Sequence, residues 1–388
     1  MPAPTASTPA NTGYSREYWT TWSATLLFFA GFYTLIVPLP LYLTGIGLPD
    51  WQVGVIMGAF GIASLVGRPL AGSLTDAYGS RPVILFGTVS LALGAVGVGF
   101  VTWPPLLFML RILQAAGYVA FTTAATSLIS ELAPPARRGN ALAIFGAAAN
   151  VAITLVPAAV SAVLTTLTLR GAFLLCAVMA VLGGVLVWFA IPTQREGRKP
   201  FTMRSLVNVP AVLRVPMLTA WMFGVGFGAF YQFLPLLAER RGLEPVGLAY
   251  TVYGLSIIGT RVFGGRLLDR PDRKQVLPPS AVLMAIGLTA FAFADSMWLL
   301  LLAAALTAIA GGIFHPTLIA IHVDSIPERG RATAGFYLAF DLGIGLGTWL
   351  LSPILDSFGL TAFFLAAGVI SLLSIVPARG IVSVDRER

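Results

Sequence analysis

The stretch Gly67-Arg68-Pro69-Leu70-Ala71-Gly72-Ser73-Leu74-Thr75-Asp76-Ala77-Tyr78-Gly79-Ser80-Arg81-Pro82 joins two long apolar segments through a very short link. A carboxylate, a glycine and an arginine are compressed into that link. A cousin follows at Arg261-Val262-Phe263-Gly264-Gly265-Arg266-Leu267-Leu268-Asp269-Arg270-Pro271-Asp272-Arg273-Lys274. Arg68, Gly72, Leu74 and Asp76 recur as Arg261, Gly265, Leu267 and Asp269, each 193 positions later, about half of the 388 residues. The same offset carries Glu131 onto Asp324, Pro134 onto Pro327 and Arg138 onto Arg331. The chain therefore reads as one unit used twice.

Outward from these links the chain is apolar. Hydrophobic residues make up 57% and charged residues 10%, and the mean hydropathy is +0.86. Soluble domains carry about a quarter charged residues, and a bilayer core takes about 20 apolar residues per helix. Such runs recur too continuously for barrel strands, which alternate. The reading is an all-α polytopic membrane protein. Twelve spans are expected, at 18–44, 51–74, 82–101, 104–132, 139–165, 171–192, 215–238, 246–268, 276–294, 298–323, 333–355 and 359–377. They form an N-terminal six-helix bundle over 18–192 and a C-terminal one over 215–378. A basic linker over 193–214 joins them, and tails over 1–17 and 379–388 flank them. Residues 1–15 lack the basic-then-apolar order of a cleaved signal peptide and read as a mobile tail.

Basic residues orient the spans. With the N-terminus cytoplasmic, eighteen of the twenty-four Lys and Arg fall in the tails or in links after even-numbered spans. Arg170, Arg240 and Arg241 fall on the other side, and Arg68, Arg111 and Arg261 lie within spans. Both termini are thus expected inside, at the plasma (inner) membrane. The net charge of +8 is topological rather than a nucleic-acid surface. One cysteine (Cys176) and two histidines support neither a disulfide nor a metal site, and no cofactor is implied. No nucleophile–base constellation and no Gly-x-x-x-x-Gly-Lys phosphate loop is present, which argues against an enzyme or an ATP-driven pump.

Two parallel six-helix repeats are a transporter pattern, and here the chain resembles the major facilitator superfamily. Gly72-Ser73-Leu74-Thr75-Asp76-Ala77-Tyr78-Gly79-Ser80-Arg81 is similar to its loop 2–3 motif, with Gly265 to Arg270 as the counterpart. Arg111-Ile112-Leu113-Gln114 is similar to its Arg-x-x-Gln motif. Arg68 to Gly72, with Asp341 to Gly347 on helix eleven, resembles bacterial arabinose or drug efflux permeases. The resemblance implies secondary transport by alternating access, with proton-coupled export of a small amphipathic compound or drug. A uniporter or uptake symporter for a sugar or other metabolite, and a lipid flippase or transport-dead sensor, are the alternatives. The partners implied are a small molecule, protons and the lipid bilayer, and the working unit is a monomer.

Several residues carry mechanism in this reading. Asp76, Arg81 and Glu131, with Arg138, Gly72 and the repeats Asp269, Arg273, Asp324 and Arg331, form a cytoplasmic gate, or else serve topology and capping. Asp341 is the one carboxylate well inside a predicted span, where a charge needs a partner or a water path. The resemblance implies that helices two and eleven are neighbours across the halves, so an Arg68–Asp341 pair is expected there, latching the cytoplasmic side when the protein faces outward. Asp341 as a proton site and Asp341 as a static packing charge are the other two roles. Arg111, with Gln114 one turn on, meets an anion or tunes proton coupling, or makes a structural hydrogen bond. His315 is a cavity candidate, and His322 is expected near the gate. The resemblance also implies that Tyr33, Tyr118, Tyr231 and Gln232 line the cavity.

Overall fold

Gly79 is the whole of the link between the first two helices of the opening stretch. One helix ends at Tyr78 and the next begins at Ser80. Its φ of 87° lies in the region that favours glycine because a Cβ would clash with the backbone. In the computed structural model, which describes residues 14–134, 137–164, 166–191, 210–263, 273–326 and 329–381, the chain is almost entirely helical.

The first half comprises α1 (Arg16–Thr34), α2 (Pro38–Gly45), α3 (Asp50–Tyr78), α4 (Ser80–Val98), α5 (Pro104–Leu132), α6 (Arg138–Val163) and α7 (Leu169–Ala190). The second comprises α8 (Arg214–Arg241), α9 (Gly247–Phe263), α10 (Leu277–Ala292), α11 (Met297–Ser325), α12 (Arg329–Leu373) and the short α13 (Ile375–Arg379). Local chemistry sets the ends. The Ser15 hydroxyl accepts from the Tyr18 amide at 3.2 Å, satisfying a free donor of the first turn. Pro104 opens α5, where its missing N–H costs nothing. Gly242, at φ 66°, closes α8 in the left-handed conformation.

Ten helices among the described residues are long and apolar enough to cross a membrane. Of the other two expected passes, α9 falls just short at 17 residues, and α12 holds two passes broken at Gly359, whose φ is 78°. Pro38 and Pro40 divide the first expected span into α1 and α2. Large apolar side chains such as Phe86, Leu93, Phe189, Leu302 and Val369 stand exposed on these helices, as a lipid-facing surface requires. Several expected boundaries move by two to four residues. The second span reaches Tyr78 rather than 74, and the eleventh starts at Arg329 rather than 333. Polar end residues extend the helices beyond the apolar windows that marked them. The expected linker and tails fall largely outside the described residues.

The repeat reappears in the packing. Phe28 stacks on Phe121 with ring centroids 3.8 Å apart in the first half. Phe223 stacks on Phe314 at 3.7 Å in the second, and Phe121 and Phe314 are again 193 positions apart.

The end carrying Arg16, Tyr78 and Arg138 will be called the terminal end, and that carrying Asp50, Arg240 and Gly247 the far end. The halves meet along two seams, both in the far-end part of the molecule. In the α3–α12 seam, a Cβ at Gly345 would lie 2.3 Å from the Cα of Gly61, and one at Gly58 would lie 2.2 Å from Trp349. The Trp349 indole donates to the Val55 carbonyl at 2.7 Å. In the α6–α9 seam, a Cβ at Gly247 would lie 2.5 Å from Ala158, and Thr251 donates to the Thr154 carbonyl at 2.7 Å. Toward the terminal end, a Cβ at Gly72, Gly139, Gly146 or Gly259 would meet nothing within 4 Å. Both seams of close backbone contact thus lie toward the far end, and among the described glycines none makes such an approach between the halves toward the terminal end.

Candidate functional site

α3 and α12 bring Arg68 and Asp341 together across the halves. Arg68 Nε lies 2.6 Å from Asp341 Oδ2, and Ser64 Oγ, one turn from Arg68, donates to the same oxygen at 2.9 Å. Asp341 is 4% exposed. The Arg68 guanidinium also lies over the Tyr337 ring, 4.9 Å from its centroid. The pair is thus built from both faces: a hydroxyl and a guanidinium from one half, a carboxylate and an aromatic face from the other.

The expected pair across the halves is present. Arg68 is ten residues from Tyr78, about 15 Å, and Asp341 twelve residues from Arg329, about 18 Å, which puts the pair between the glycine seam and the terminal end.

A second inter-half ion pair, unanticipated from the sequence, lies at the far end. Arg240 reaches Asp50 through both guanidinium nitrogens, Nη1 to Oδ2 at 2.9 Å and Nη2 to Oδ1 at 2.5 Å. Its signal in the sequence was an exception, since Arg240 is one of three arginines on the wrong side of the charge bias. The neighbouring Arg241 donates to the carbonyls of Phe291, Ala292 and Ala294 and to the Thr361 hydroxyl, at 2.7–3.1 Å. It ties together the far ends of three helices in the second half.

Between the halves runs an aromatic wall. Tyr118 packs against Phe32 at 4.5 Å and Phe60 at 5.3 Å between centroids. Tyr33 meets Tyr231 edge-on at 6.1 Å across the halves. Phe227 continues the wall from Tyr231 to Phe340, and Phe340 meets His315 at 5.3 Å. His315 is half-buried, edge-on to Phe336.

Just beneath the far-end seal, a small cavity is lined by Phe32, Leu35, Ile36, Leu39 and Met57, with Arg111, Tyr231 and Gln232. Arg111 is 4% exposed. Its Nη1 donates to Gln114 Oε1 at 3.0 Å, and Gln114 Nε2 in turn donates to the Gly94 carbonyl at 3.0 Å. The Arg111 guanidinium also lies 5.9 Å from the Phe60 ring centroid. Gln232 donates from Nε2 to the Ile344 carbonyl at 3.2 Å and to the Thr348 hydroxyl at 3.3 Å.

The expected gate residues lie at the terminal end. Asp76, Glu131, Arg138, Asp324 and Arg331 are exposed there, and Arg81 stacks over the Trp188 ring at 4.7 Å. Asp269 and the Arg273 side chain lie outside the described residues. His322 lies three residues from the terminal end of α11 at Ser325, buried against Phe336, with Nδ1 2.7 Å from the Leu318 carbonyl. Among the described residues, no His, Cys, Asp and Glu cluster could hold a metal ion.

Comparison with known proteins agrees with this architecture. Residues 21–274 and 244–387 match the family model described as Major Facilitator Superfamily. The uncharacterized MFS-type transporter YhhS of Escherichia coli (strain K12) is 22% identical over 360 residues, covering 87% of this chain and 86% of that protein. The staphylopine export protein of Staphylococcus aureus (strain Mu50) is 22% identical over 378 residues, covering 91% and 92%. The crystal structure of the nucleoside transporter NupG superposes with a TM-score of 0.80 at 13% identity, over 95% of this chain and all of that one.

Proposed function

Because the chain belongs to the Major Facilitator Superfamily, whose members carry small molecules across membranes, we propose that it is a secondary active exporter of a small amphipathic compound, working by alternating access and coupled to protons. One observation carries this reading: the backbone-to-backbone seams between the halves lie toward one end, and no described glycine makes such an approach between them at the other. Two packings that differ by a few kcal/mol are what such a carrier needs, and a cavity between two rigid halves is where its site would lie.

The basic residues favour placing the terminal end in the cytoplasm of a bacterial inner membrane, so the present state faces inward. Export is supported by a relative that is itself named an export protein. The aromatic wall suits an amphipathic solute better than a free sugar. Asp341, the one carboxylate deep within the described spans, is the latch between the halves in this proposal. Its pairing with Arg68 and Ser64 couples its charge to the contact between the halves. Asp76, Glu131, Arg138, Asp324 and Arg331 form the cytoplasmic gate in this proposal.

The test is a pair of spin-label distances on the full chain in nanodiscs, read at acid and neutral pH. One pair spans the far end at Trp51 and Leu248; the other spans the terminal end at Tyr78 and Arg331. The buried Cys176 is replaced by serine. Two distance populations at each end, moving in opposite senses with pH, are expected. A single population at both ends under all conditions would sink alternating access.

A further inference from the structure

The space beneath the far-end seal holds polar atoms that the fold leaves without partners. Arg111 Nε, the Tyr231 hydroxyl and Gln232 Oε1 are all buried and make no hydrogen bond within the described protein. A guanidinium has five N–H donors and no acceptor. Here Nη1 alone has a hydrogen-bond partner, and no carboxylate among the described residues pairs with Arg111. A buried, uncompensated charge is costly, and a cost of this kind at the wall of a cavity marks a group kept for a ligand.

The Gln232 amide is not free to turn. Its Nε2 must donate, because the Ile344 carbonyl it faces can only accept. Its Oε1 is thereby fixed as an acceptor. Gln232 is 2% exposed, and it stands in the opposite half from Arg111, next to Tyr231 in the chain.

We infer that this space binds the head group of the transported compound, and that the head group combines an anion, such as a carboxylate, with a neighbouring hydrogen-bond donor. The anion accepts from Arg111 Nε and the Tyr231 hydroxyl. The donor, an N–H or O–H, meets Gln232 Oε1. Phe32, Leu35, Ile36, Leu39 and Met57 exclude water around the head, and the apolar body extends along the aromatic wall toward the terminal end. Arg111 comes from the first half and Tyr231 and Gln232 from the second, so one small molecule bridges the two moving bodies. A neutral amphipath, or an amine without an anionic group, leaves the guanidinium unpaired and is rejected. The inference rests on the transport reading above and narrows its substrate class.

The test uses purified full chain in detergent and a set of N-acylglycines, each matched to its methyl ester and to its N-methyl form. Binding is read by thermal stabilisation and titrated to a Kd. The free acids are expected to stabilise, with esters binding at least about tenfold more weakly, the loss of one charge-assisted hydrogen bond. The N-methyl acids should bind more weakly than the N–H acids, and Gln232→Met should erase that difference without affecting the acid–ester difference. Arg111→Gln should erase the acid–ester difference. The wild-type comparison of acid with ester needs no variant, so misfolding of Arg111→Gln cannot obscure it. Equal stabilisation by acids and esters, or no stabilisation by any acid, overturns the inference. Either result leaves alternating access standing, because the label distances judge that separately.

Discussion

Asp50 and Arg240, from opposite halves, close a bidentate ion pair at the far end, with N···O distances of 2.9 and 2.5 Å. The Arg240 side chain is 40% exposed and that of Asp50 18%, so water and salt reach the pair. Exposed pairs are worth about 0.2–1 kcal/mol, which suits a contact that must break in every cycle. Asp50→Asn should shift the balance toward the far-end-open state by up to about fivefold. The Trp51–Leu248 label distances check it, and high salt should mimic the substitution in the wild type. An unchanged distribution in both would remove the pair from the gate.

Gly345→Ala should act more strongly than loss of the ion pair. A Cβ there would lie 2.3 Å from the Gly61 Cα and 2.7 Å from the Gly58 carbonyl, and backbone cannot swing aside as a side chain can. Overpacking of this kind costs about 1–3 kcal/mol, charged only to the state with the far end shut. The expected outcome is a protein held open at the far end, with an unaltered fold by circular dichroism. A similar variant at Gly146, where a Cβ meets nothing within 4 Å, is the control and should leave the label distances unchanged.

Arg68→Ala strands a buried carboxylate. Removing one partner of such a pair costs about 3–5 kcal/mol, so a marked fall in melting temperature is expected. Adding Asp341→Asn should restore most of it, because the stranded charge is gone. Additive losses in the double variant would mean that the two side chains do not act as a pair. Proton flux in the double variant then reports on coupling: persistence of full flux would exclude the alternative role of Asp341 as a proton site.

Arg241→Ala should lower stability without moving the conformational balance. The guanidinium holds three carbonyls and one hydroxyl of its own half, and hydrogen bonds to a charged group contribute about 1.5–3 kcal/mol each, less than additively. Melting temperature should fall by several degrees while both label distances keep their populations. A shift in those populations would show that the clamp reaches the moving interface.

Much of the fold was legible in the residues. Hydropathy placed twelve passes, and the 193-residue offset placed two halves, because lipid demands long apolar helices and a duplication preserves spacing. The Arg68–Asp341 contact was legible too, because a lone carboxylate within a span needs a partner and the family resemblance set helices two and eleven side by side across the halves. The Asp50–Arg240 pair was hidden in the charge bias, where both residues looked like ordinary loop charges. The orphaned atoms of Arg111, Tyr231 and Gln232 could not be read at all. A motif names an arginine, but only packing shows which of its nitrogens lacks a partner.

The glycine series of α12 has a kinetic consequence. Gly343 and Gly347 approach α8, at the Trp221 carbonyl and at Val225, while Gly345 between them approaches Gly61 on α3. At these points α12 is smooth on two faces. Interlocked side chains must unmesh before helices can slide, and each rotamer change adds to the barrier. Along this stretch there is little to unmesh on either side. We expect α12 to behave as a bearing: the speed of the cycle should depend on the contacts at its two ends and scarcely on the surface that rolls.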